Sequence, residues 1–168
     1  KPPWERDTDS WTVKELNIQE IASKLKPKTV LDIGANTGWF SIMFANNGAS
    51  VTSFERDEES INHLYSYVHR EQVNVTPLGM DIRHPSPEYE LNIGTLSAAT
   101  ERCKSELVMA LAVIHHLISN QRITLDDLVH ILDKFTLKYL LIEFVPINEA
   151  LYKLPGLTEE NWNVQVVK

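Results

Sequence analysis

The chain of 168 residues lacks several features that mark particular classes of protein. No apolar run approaches the roughly 20 residues that a membrane-spanning helix needs. The opening segment, KPPWERDTDSW, has no apolar core of the kind that a signal peptide carries. Cys103 is the single cysteine, which excludes an intramolecular disulfide. We therefore expect a cytoplasmic protein without membrane attachment.

Clusters of positive charge are also missing. The net charge is −7, and no stretch rich in Lys and Arg stands out. This weighs against a broad contact with a nucleic-acid backbone. Repeats, low-complexity tracts and internal linkers are absent as well, and the length suits one domain with one core. We expect a single domain over residues 1–168.

What is present is an alternation of helical and strand-like patterns. Strands are predicted at residues 28–33, 49–55, 73–80, 106–113 and 137–145, and helices at residues 12–26, 38–47, 57–70, 94–104 and 124–134. This alternation predicts an α/β fold with a Rossmann-like, doubly wound and mainly parallel sheet. The domain then divides into an N-terminal arm and helix (1–27), a core (28–146) and a short C-terminal region (147–168), with a helix at 147–154 and a strand at 162–167.

Local signals add detail to these elements. Thr12 with Glu15 forms a capping box, Thr124 with Asp127 starts a later helix, and Pro77 predicts an edge position for the third strand. The segment 84–93, with its prolines, is predicted as a loop. The predicted buried helix faces are Val13, Leu16, Ile21 and Leu25 in the first helix, Ile61, Leu64, Tyr65 and Val68 in the third, and Leu125, Leu128, Val129 and Leu132 in the last.

The most informative stretch is VLDIGANTGWFS, residues 30–41. It combines an apolar run that ends in an acid, Asp32, a turn with glycines, and the start of an amphipathic segment, which predicts strand, turn and helix. Asp32 is thereby predicted at the C-terminal end of the strand, where open α/β sheets bind ligands. Gly34 and Gly38 leave room for a ligand to approach the backbone, and the helix start offers unpaired N–H groups. The spacing D-x-G-x-x-x-G departs from the dinucleotide fingerprint, because Asn36 occupies its second glycine position.

This stretch resembles motif I of the class I S-adenosylmethionine (SAM)-dependent methyltransferases. In that family the acid and the glycine turn hold the methionine end of SAM. The resemblance therefore implies cofactor contacts from Asp32, Gly34, Ala35, Asn36 and Gly38. Taken alone, the stretch is also compatible with a strand-to-helix turn of any doubly wound sheet.

Two charged residues follow the second predicted strand. Glu55 ends that strand, where an acid can accept hydrogen bonds from both hydroxyls of a ribose, in NAD and SAM alike. The alternative for Glu55 is a cap of the next helix, for which Asp57 is better placed. The resemblance implies that Arg56 flanks the adenine; the alternative is a solvated charge.

Asp81 follows the third predicted strand in the segment PLGMDIRHP. The resemblance implies that its carboxylate accepts a hydrogen bond from the adenine N6 amine. It also implies that Met80 and Ile82 are the apolar neighbours of the ring and that Leu111 belongs to the same cofactor site. The alternative for Asp81 is a turn residue before Pro85.

The fourth predicted strand runs into ALAVIHHL, which contains His115 and His116. A His pair at the edge of a sheet suggests acid–base chemistry, because imidazole exchanges protons near neutral pH. Many small-molecule methyltransferases carry a similar VLHHL segment, in which the histidines shape the loop. Methyl transfer depends largely on positioning, and it needs a base only for a protonated nucleophile. Both histidines are catalytic candidates; we favour a structural role for His115 and the pocket for His116.

Other candidate residues have less specific signals. The remaining histidines are scattered without metal-ligand spacing, so we expect no metal site. Glu143 ends the fifth predicted strand on the side of the substrate, where it binds a substrate amine or caps the loop. Trp4 and Trp11 precede the first helix, in a segment that often covers the SAM pocket in this family; they are equally interpretable as core aromatics.

Four motifs, VLDIGANTG, PLGMD with PSP, ALAVIHHL and IEFVP, occur in order between Val30 and Pro146. They bring the resemblance closest to a bacterial subgroup of nodulation-protein-like methyltransferases. The resemblance implies a SAM-dependent methyltransferase, and the acidic composition favours a small-molecule acceptor over nucleic acid. Two alternatives remain: a catalytically idle SAM-binding module that acts with a protein partner, and an NAD-dependent oxidoreductase, which the altered glycine fingerprint disfavours.

Overall fold

The structure is a computed structural model, and it describes residues 7–119 and 123–143. A 3-10 turn at Thr8–Ser10 precedes the regular elements. The strands are β1 (Thr29–Ile33), β2 (Ser50–Glu55), β3 (Val75–Gly79), β4 (Tyr89–Leu91), β5 (Gly94–Leu96), β6 (Ser105–Ala110) and β7 (Thr136–Ile142). The helices are α1 (Val13–Leu25), α2 (Trp39–Asn46), α3 (Glu58–Glu71), α4 (Ala99–Arg102), α5 (Ile114–Ser119) and α6 (Leu125–Phe135). Trp4 and the elements expected at 147–154 and 162–167 lie outside the described residues.

Five strands form one parallel sheet in the order β3-β2-β1-β6-β7. The chain winds outward from β1 to β3 and then returns to the other side of β1 with β6 and β7, so the winding reverses between β1 and β6. Open α/β sheets bind ligands outside the carboxyl ends of the strands at such a reversal. The doubly wound fold predicted from the sequence is confirmed, and so is the edge position of β3, where Pro77 pairs with Ser53.

Two apolar cores cover the two faces of the sheet. One contains buried residues of α1, α2 and α3 together with Val30 and Val51. The other joins α4, α5 and α6 to Leu31, Ile33 and Phe54. Successive strand residues thus point into opposite cores, as the alternating geometry of a strand requires. A near-continuous apolar strand such as β6 is what a parallel sheet covered on both faces needs.

The predicted buried face of α1 is wrong at Val13, Leu16 and Leu25, whereas Ile21 packs against the core as predicted. Val13 is 74% exposed and Leu16 is 48% exposed, whereas Glu15, Ile18 and Ala22 are buried. The capping box explains the rotation. Thr12 accepts a hydrogen bond from the N–H of Glu15, and the Glu15 carboxylate accepts one from the N–H of Thr12. Because the carboxylate has this partner, its burial costs less than that of an isolated charge, and the helix turns this acid inward.

In α3 and α6 the predicted faces are too wide. Leu64, Val68, Leu128 and Leu132 are buried as predicted, whereas Tyr65 and Val129 are 59% and 48% exposed. Each exposed residue directly follows a buried leucine, and one step along a helix turns the side chain by about 100°. Tyr65 instead stacks on His69 at a ring distance of 6.0 Å.

The region between β3 and β6 also differs from the prediction. A loop at 84–93 and a helix at 94–104 were expected; the structure has an antiparallel hairpin, β4–β5, and a helix of only four residues, α4. The two strands of the hairpin have three residues each and are exposed throughout. They therefore lack the alternation of apolar and polar residues by which a strand is recognised in a sequence.

The last two sheet strands end earlier than predicted. β6 stops at Ala110, and Ala112 adopts a positive φ of 54° in the turn that follows. The His pair follows this turn and lies on the short helix α5. β7 was expected to be buried, but Leu137 and Tyr139 are 58% and 45% exposed. Within residues 7–119 and 123–143, β7 pairs only with β6 and forms an edge of the sheet, which leaves these side chains in contact with solvent.

Gly38 gives a direct test of the strand–turn–helix geometry. Its φ is +82°, and a Cβ there would lie 2.2 Å from Cδ1 of the buried Leu64. We expect Gly38→Ala to lower the free energy of unfolding by about 1–3 kcal/mol, measured by urea denaturation. Gly79→Ala is the matched control, because no atom lies within 4 Å of its Cβ position. Equal midpoints for wild type and Gly38→Ala would contradict the described turn.

Candidate cofactor-binding cleft

A cleft of about 960 Å³ opens at the carboxyl ends of the parallel strands. The ends of β1 and β2 and the segments that follow β3 and β6 form its floor, and the starts of α1, α2, α3 and α5 form its walls. This volume suits a nucleotide-sized ligand. The cleft brings together these residues of the predicted cofactor site: Gly34, Ala35, Asn36, Glu55, Arg56, Met80, Asp81, Ile82 and Leu111.

Asp32 and Gly38 belong to the predicted set but are not among the residues that line the cleft. Gly38 faces Leu64, as described above. Asp32 is buried, and its carboxylate accepts a hydrogen bond of 2.6 Å from Oγ of Ser41, which lies 2.7 Å from Oγ of Ser53. Asp32 thus supports the strand from which the glycine loop leaves, without facing the cleft itself.

Burial raises the pKa of Asp32 to about 6. The hydrogen bond from Ser41 opposes this increase, and the negative charge of Glu55 adds to it. Desolvation disfavours the ionised carboxylate more strongly than one hydroxyl donor can compensate. Near neutral pH the buried, ionised Asp32 carboxylate therefore lowers the free energy of unfolding.

This raised pKa predicts how stability depends on pH. The unfolded carboxyl group loses its proton near 3.8 and the folded one near 6, so the folded state binds more protons between these values. The contribution of Asp32 to the free energy of unfolding therefore falls as the pH rises through this window. We compare the free energy of unfolding of Asp32→Asn with that of wild type. We expect the difference, variant minus wild type, to be about 2 kcal/mol larger at about pH 7.5 than at about pH 4.

Urea denaturation at both pH values measures this difference. Asp57→Asn is the matched control, because its carboxylate accepts a hydrogen bond from Ser60 N–H, which lowers the pKa of Asp57. A carboxyl group with a lowered pKa contributes stability that is lost as the pH falls. The effect of Asp57→Asn on the free energy of unfolding should therefore change with pH in the opposite direction. An Asp32→Asn effect that is the same at both pH values would contradict the raised pKa.

The glycine loop is tied to the end of β2. The N–H groups of Gly34 and Ala35 both donate to the carbonyl of Phe54, at 2.9 and 3.1 Å. Gly34 has a φ of +73°, and a Cβ there would lie 2.7 Å from Cγ2 of Val113. A side chain at Gly34 would therefore disturb the packing of the loop on the β6–α5 turn as well as any bound ligand.

The Glu55 carboxylate links this loop to the next one. It accepts hydrogen bonds from the N–H groups of Asn36 at 2.8 Å, Arg56 at 2.6 Å and Asp57 at 2.9 Å. The cap of α3 is Asp57, so the alternative role proposed for Glu55 is filled by its neighbour. Each carboxylate oxygen has two lone pairs, which leaves acceptor capacity toward the cleft.

Asp81 is held by two arginines. Nε of Arg83 lies 3.0 and 3.1 Å from its two carboxylate oxygens and Nη2 lies 2.5 Å from one of them, while Nε of Arg56 lies 3.7 Å away. The hydrogen bonds from Arg83 lower the pKa of Asp81. The Asp81 carbonyl also accepts from the N–H of His84, so Asp81 shapes a turn while its carboxylate lines the cleft.

The start of α1 forms a wall of the cleft, directly after the segment that the resemblance implied over the SAM pocket. Thr12, Lys14 and Glu15 line it, and Nζ of Lys14 forms an ion pair of 2.5 Å with Glu143, directly after β7. Nζ also lies 5.3 Å from the centre of the Phe40 ring. Glu143 therefore has a side-chain amine as its partner.

Among the histidines, His116 lines the cleft from the first turns of α5. The backbone of His115 lies on the same helix; its side chain is outside the described residues. In the described ranges, no group of three or more His, Cys, Asp or Glu side chains could hold a metal ion. No helix in those ranges has the length and apolarity needed to cross a membrane.

Comparison with known proteins identifies the family. A family model described as a methyltransferase domain matches residues 12–148. The nodulation protein NoeA of Rhizobium meliloti (strain 1021) is 31% identical over 130 residues, which cover 77% of this chain and 27% of NoeA. The chain thus spans about a quarter of the length of this curated relative.

Solved structures share the fold at low sequence identity. The bifunctional kinase-methyltransferase WbdD aligns with a TM-score of 0.64 and 19% identity, over 90% of this chain and 33% of WbdD. TehB from Haemophilus influenzae gives a TM-score of 0.58 and 22% identity, over 75% and 39% of the two chains. Magnesium protoporphyrin IX methyltransferase (ChlM) from Synechocystis PCC 6803, with bound SAH, gives 0.58 and 18%, over 79% and 56%. The chain belongs to the methyltransferase domain family and has the fold of the class I SAM-dependent methyltransferases.

Proposed function

We propose that this domain binds SAM in the described cleft and transfers its methyl group to a small-molecule acceptor. The observation that carries the proposal is that Glu55 and Asp81 present carboxylates to one cleft, at the ends of the neighbouring strands β2 and β3, beside the glycine loop. Ionised carboxylates accept hydrogen bonds and do not donate them. They suit the hydroxyls of a ribose and the amine of an adenine.

The other lining residues agree with this assignment. Residues 34–36 offer a backbone surface for the methionine end, supported from the interior by Asp32. Met80, Ile82 and Leu111 supply apolar surface for a ring, and Arg56 flanks it. Acidic side chains at the cleft, Glu15, Glu55, Asp57, Glu58 and Asp81, outnumber the basic Lys14 and Arg56, which favours a cationic ligand.

SAM, when bound, supplies an electrophilic methyl group on a sulfonium centre. The protein then has to orient the acceptor, exclude water and take up a proton if the nucleophile carries one. Imidazole exchanges protons near neutral pH, and His116 is the histidine that lines the cleft, so we assign it this role. His115 remains the second candidate, with a structural role favoured.

We place the acceptor at the end of the cleft that α1, α2 and α5 form. Its lining includes Lys14, Phe40 and His116, so an acceptor there would meet apolar and polar surface together. A polyanion such as nucleic acid would meet the acidic side chains of the same cleft and be repelled. A small molecule is the acceptor class that fits these surroundings.

Calorimetry with S-adenosylhomocysteine (SAH), followed by a screen of small acceptors with labelled SAM, tests the proposal. We expect SAH to bind with a dissociation constant in the micromolar range and NADH to give no heat. Transfer of label to at least one acceptor completes the proposal. Absence of SAH binding would refute it, and SAH binding without transfer to any acceptor would favour the idle module that acts with a protein partner.

A further inference from the structure

Arg83 contacts the cleft only through another residue. It is not among the cleft-lining residues, and its side chain is 29% exposed. The guanidinium reaches both oxygens of the Asp81 carboxylate, and the Arg83 N–H donates to one of them at 3.0 Å. Arg83 thus makes side-chain and backbone contacts with the same acid two positions before it.

This geometry restricts the Asp81 carboxylate in two ways. A planar guanidinium that grips both oxygens fixes the plane of the carboxylate as well as its position. The paired positive charge also keeps the carboxylate ionised, so that it acts as an acceptor only. An acceptor held in a fixed orientation discriminates between a ligand that presents an N–H donor to it and a ligand that lacks the donor, because only the first ligand makes the hydrogen bond.

We propose that Arg83 is a positioning residue that makes Asp81 selective for the amino group of the cofactor's adenine. The inference rests on the proposed function, since it assumes that SAM or SAH occupies the cleft. Arg56, 3.7 Å from the same carboxylate, lies on the cleft side and is open to solvent over about half of its side chain. Arg83 therefore contacts the Asp81 carboxylate from outside the cleft, whereas Arg56 lines the cleft beside the proposed ligand.

The test compares two ligands on three proteins by calorimetry, with Arg83→Lys as a fourth protein. The ligands are SAH and its analogue in which hydrogen replaces the adenine 6-amino group. The proteins are wild type, Arg83→Met and, as a matched control, Arg70→Met, which removes an arginine paired with Glu71 on α3 away from the cleft. Both substitutions change the net charge equally, and a general loss of stability affects both ligands alike, so the ratio of the two affinities isolates the contact with the amino group.

We expect wild type and Arg70→Met to prefer SAH by about tenfold or more, the effect of one charge-assisted hydrogen bond. In Arg83→Met the preference should fall to about threefold or less, chiefly through weaker SAH binding. Arg83→Lys should restore only part of it, because an ammonium lacks the two-pronged geometry. An unchanged preference in Arg83→Met, or a parallel loss for both ligands, would overturn the inference; a wild type that binds neither ligand would instead refute the proposed function.

Discussion

His116→Asn is expected to lower turnover by about 10²–10⁴-fold while the dissociation constant of SAH changes by less than about twofold. His116 lines the cleft, and asparagine keeps a polar side chain there that cannot take up a proton from the acceptor. The loss should therefore appear in the chemical step and not in cofactor binding. Initial rates with an acceptor found in the screen, together with calorimetry, measure the two quantities separately.

His130→Asn is the matched control for this substitution. His130 is exposed on α6, where its ring nitrogen lies 2.7 Å from the carbonyl oxygen of Asp126, and it is not part of the cleft lining. Its replacement should leave turnover unchanged. His115→Asn should mainly lower the melting temperature, with little change in turnover per folded molecule. An active His116→Asn enzyme with wild-type turnover would remove His116 from the catalytic role.

Glu55→Ala is expected to weaken SAH binding by at least about tenfold. The N–H groups of Asn36, Arg56 and Asp57 leave one acceptor position on the Glu55 carboxylate. A ribose hydroxyl that donates to it makes a charge-assisted hydrogen bond, which contributes roughly 1.5–3 kcal/mol. The substitution also removes the acceptor of the Asn36, Arg56 and Asp57 N–H groups, so some loss of loop order adds to the effect. Calorimetry with SAH measures the total.

A second ligand separates these two contributions. SAH that lacks the ribose 2′-hydroxyl should bind wild type more weakly than SAH does, whereas Glu55→Ala should distinguish the two ligands little, because the acceptor of that hydroxyl is gone. Glu59→Ala is the matched control, an exposed acid on the first turn of α3 outside the cleft lining. If Glu55→Ala retains the full preference for the hydroxyl, Glu55 acts on the loop and not on the ribose.

Local sequence signals predicted most of the elements correctly. The Thr12–Glu15 capping box, the Thr124 cap and the Asp57 cap depend on residues a few positions apart, and the structure shows all three. The βαβ alternation predicted the parallel sheet, and the proline in β3 predicted the edge position of that strand. Both features follow from the hydrogen bonding and periodicity of the backbone. Most residues of the predicted cofactor set lie on one cleft for the same reason: strand ends of a parallel sheet meet at one edge.

The incorrect predictions concern features of the structure that a local sequence pattern does not determine. The apolar residues Val13 and Leu16 of α1 face solvent while Glu15 is buried, because the capping box turns that acid inward. The hairpin β4–β5 has no apolar face to reveal it, since its strands are exposed. The position of Asp32 beside Ser53 likewise depends on the register of β1 and β2, which no local pattern specifies.

The sequence alone therefore determined the fold class, the helix caps and the residues that stand at the strand ends, because backbone periodicity and short-range hydrogen bonds specify them. Only the tertiary structure decided which side chains meet. Lys14 pairs with Glu143 across 129 positions of the chain, and Gly34 packs against Val113. The burial that raises the pKa of Asp32 likewise arises from elements that are distant in sequence. Such contacts depend on how helices pack on the sheet, and no short stretch of sequence contains both partners.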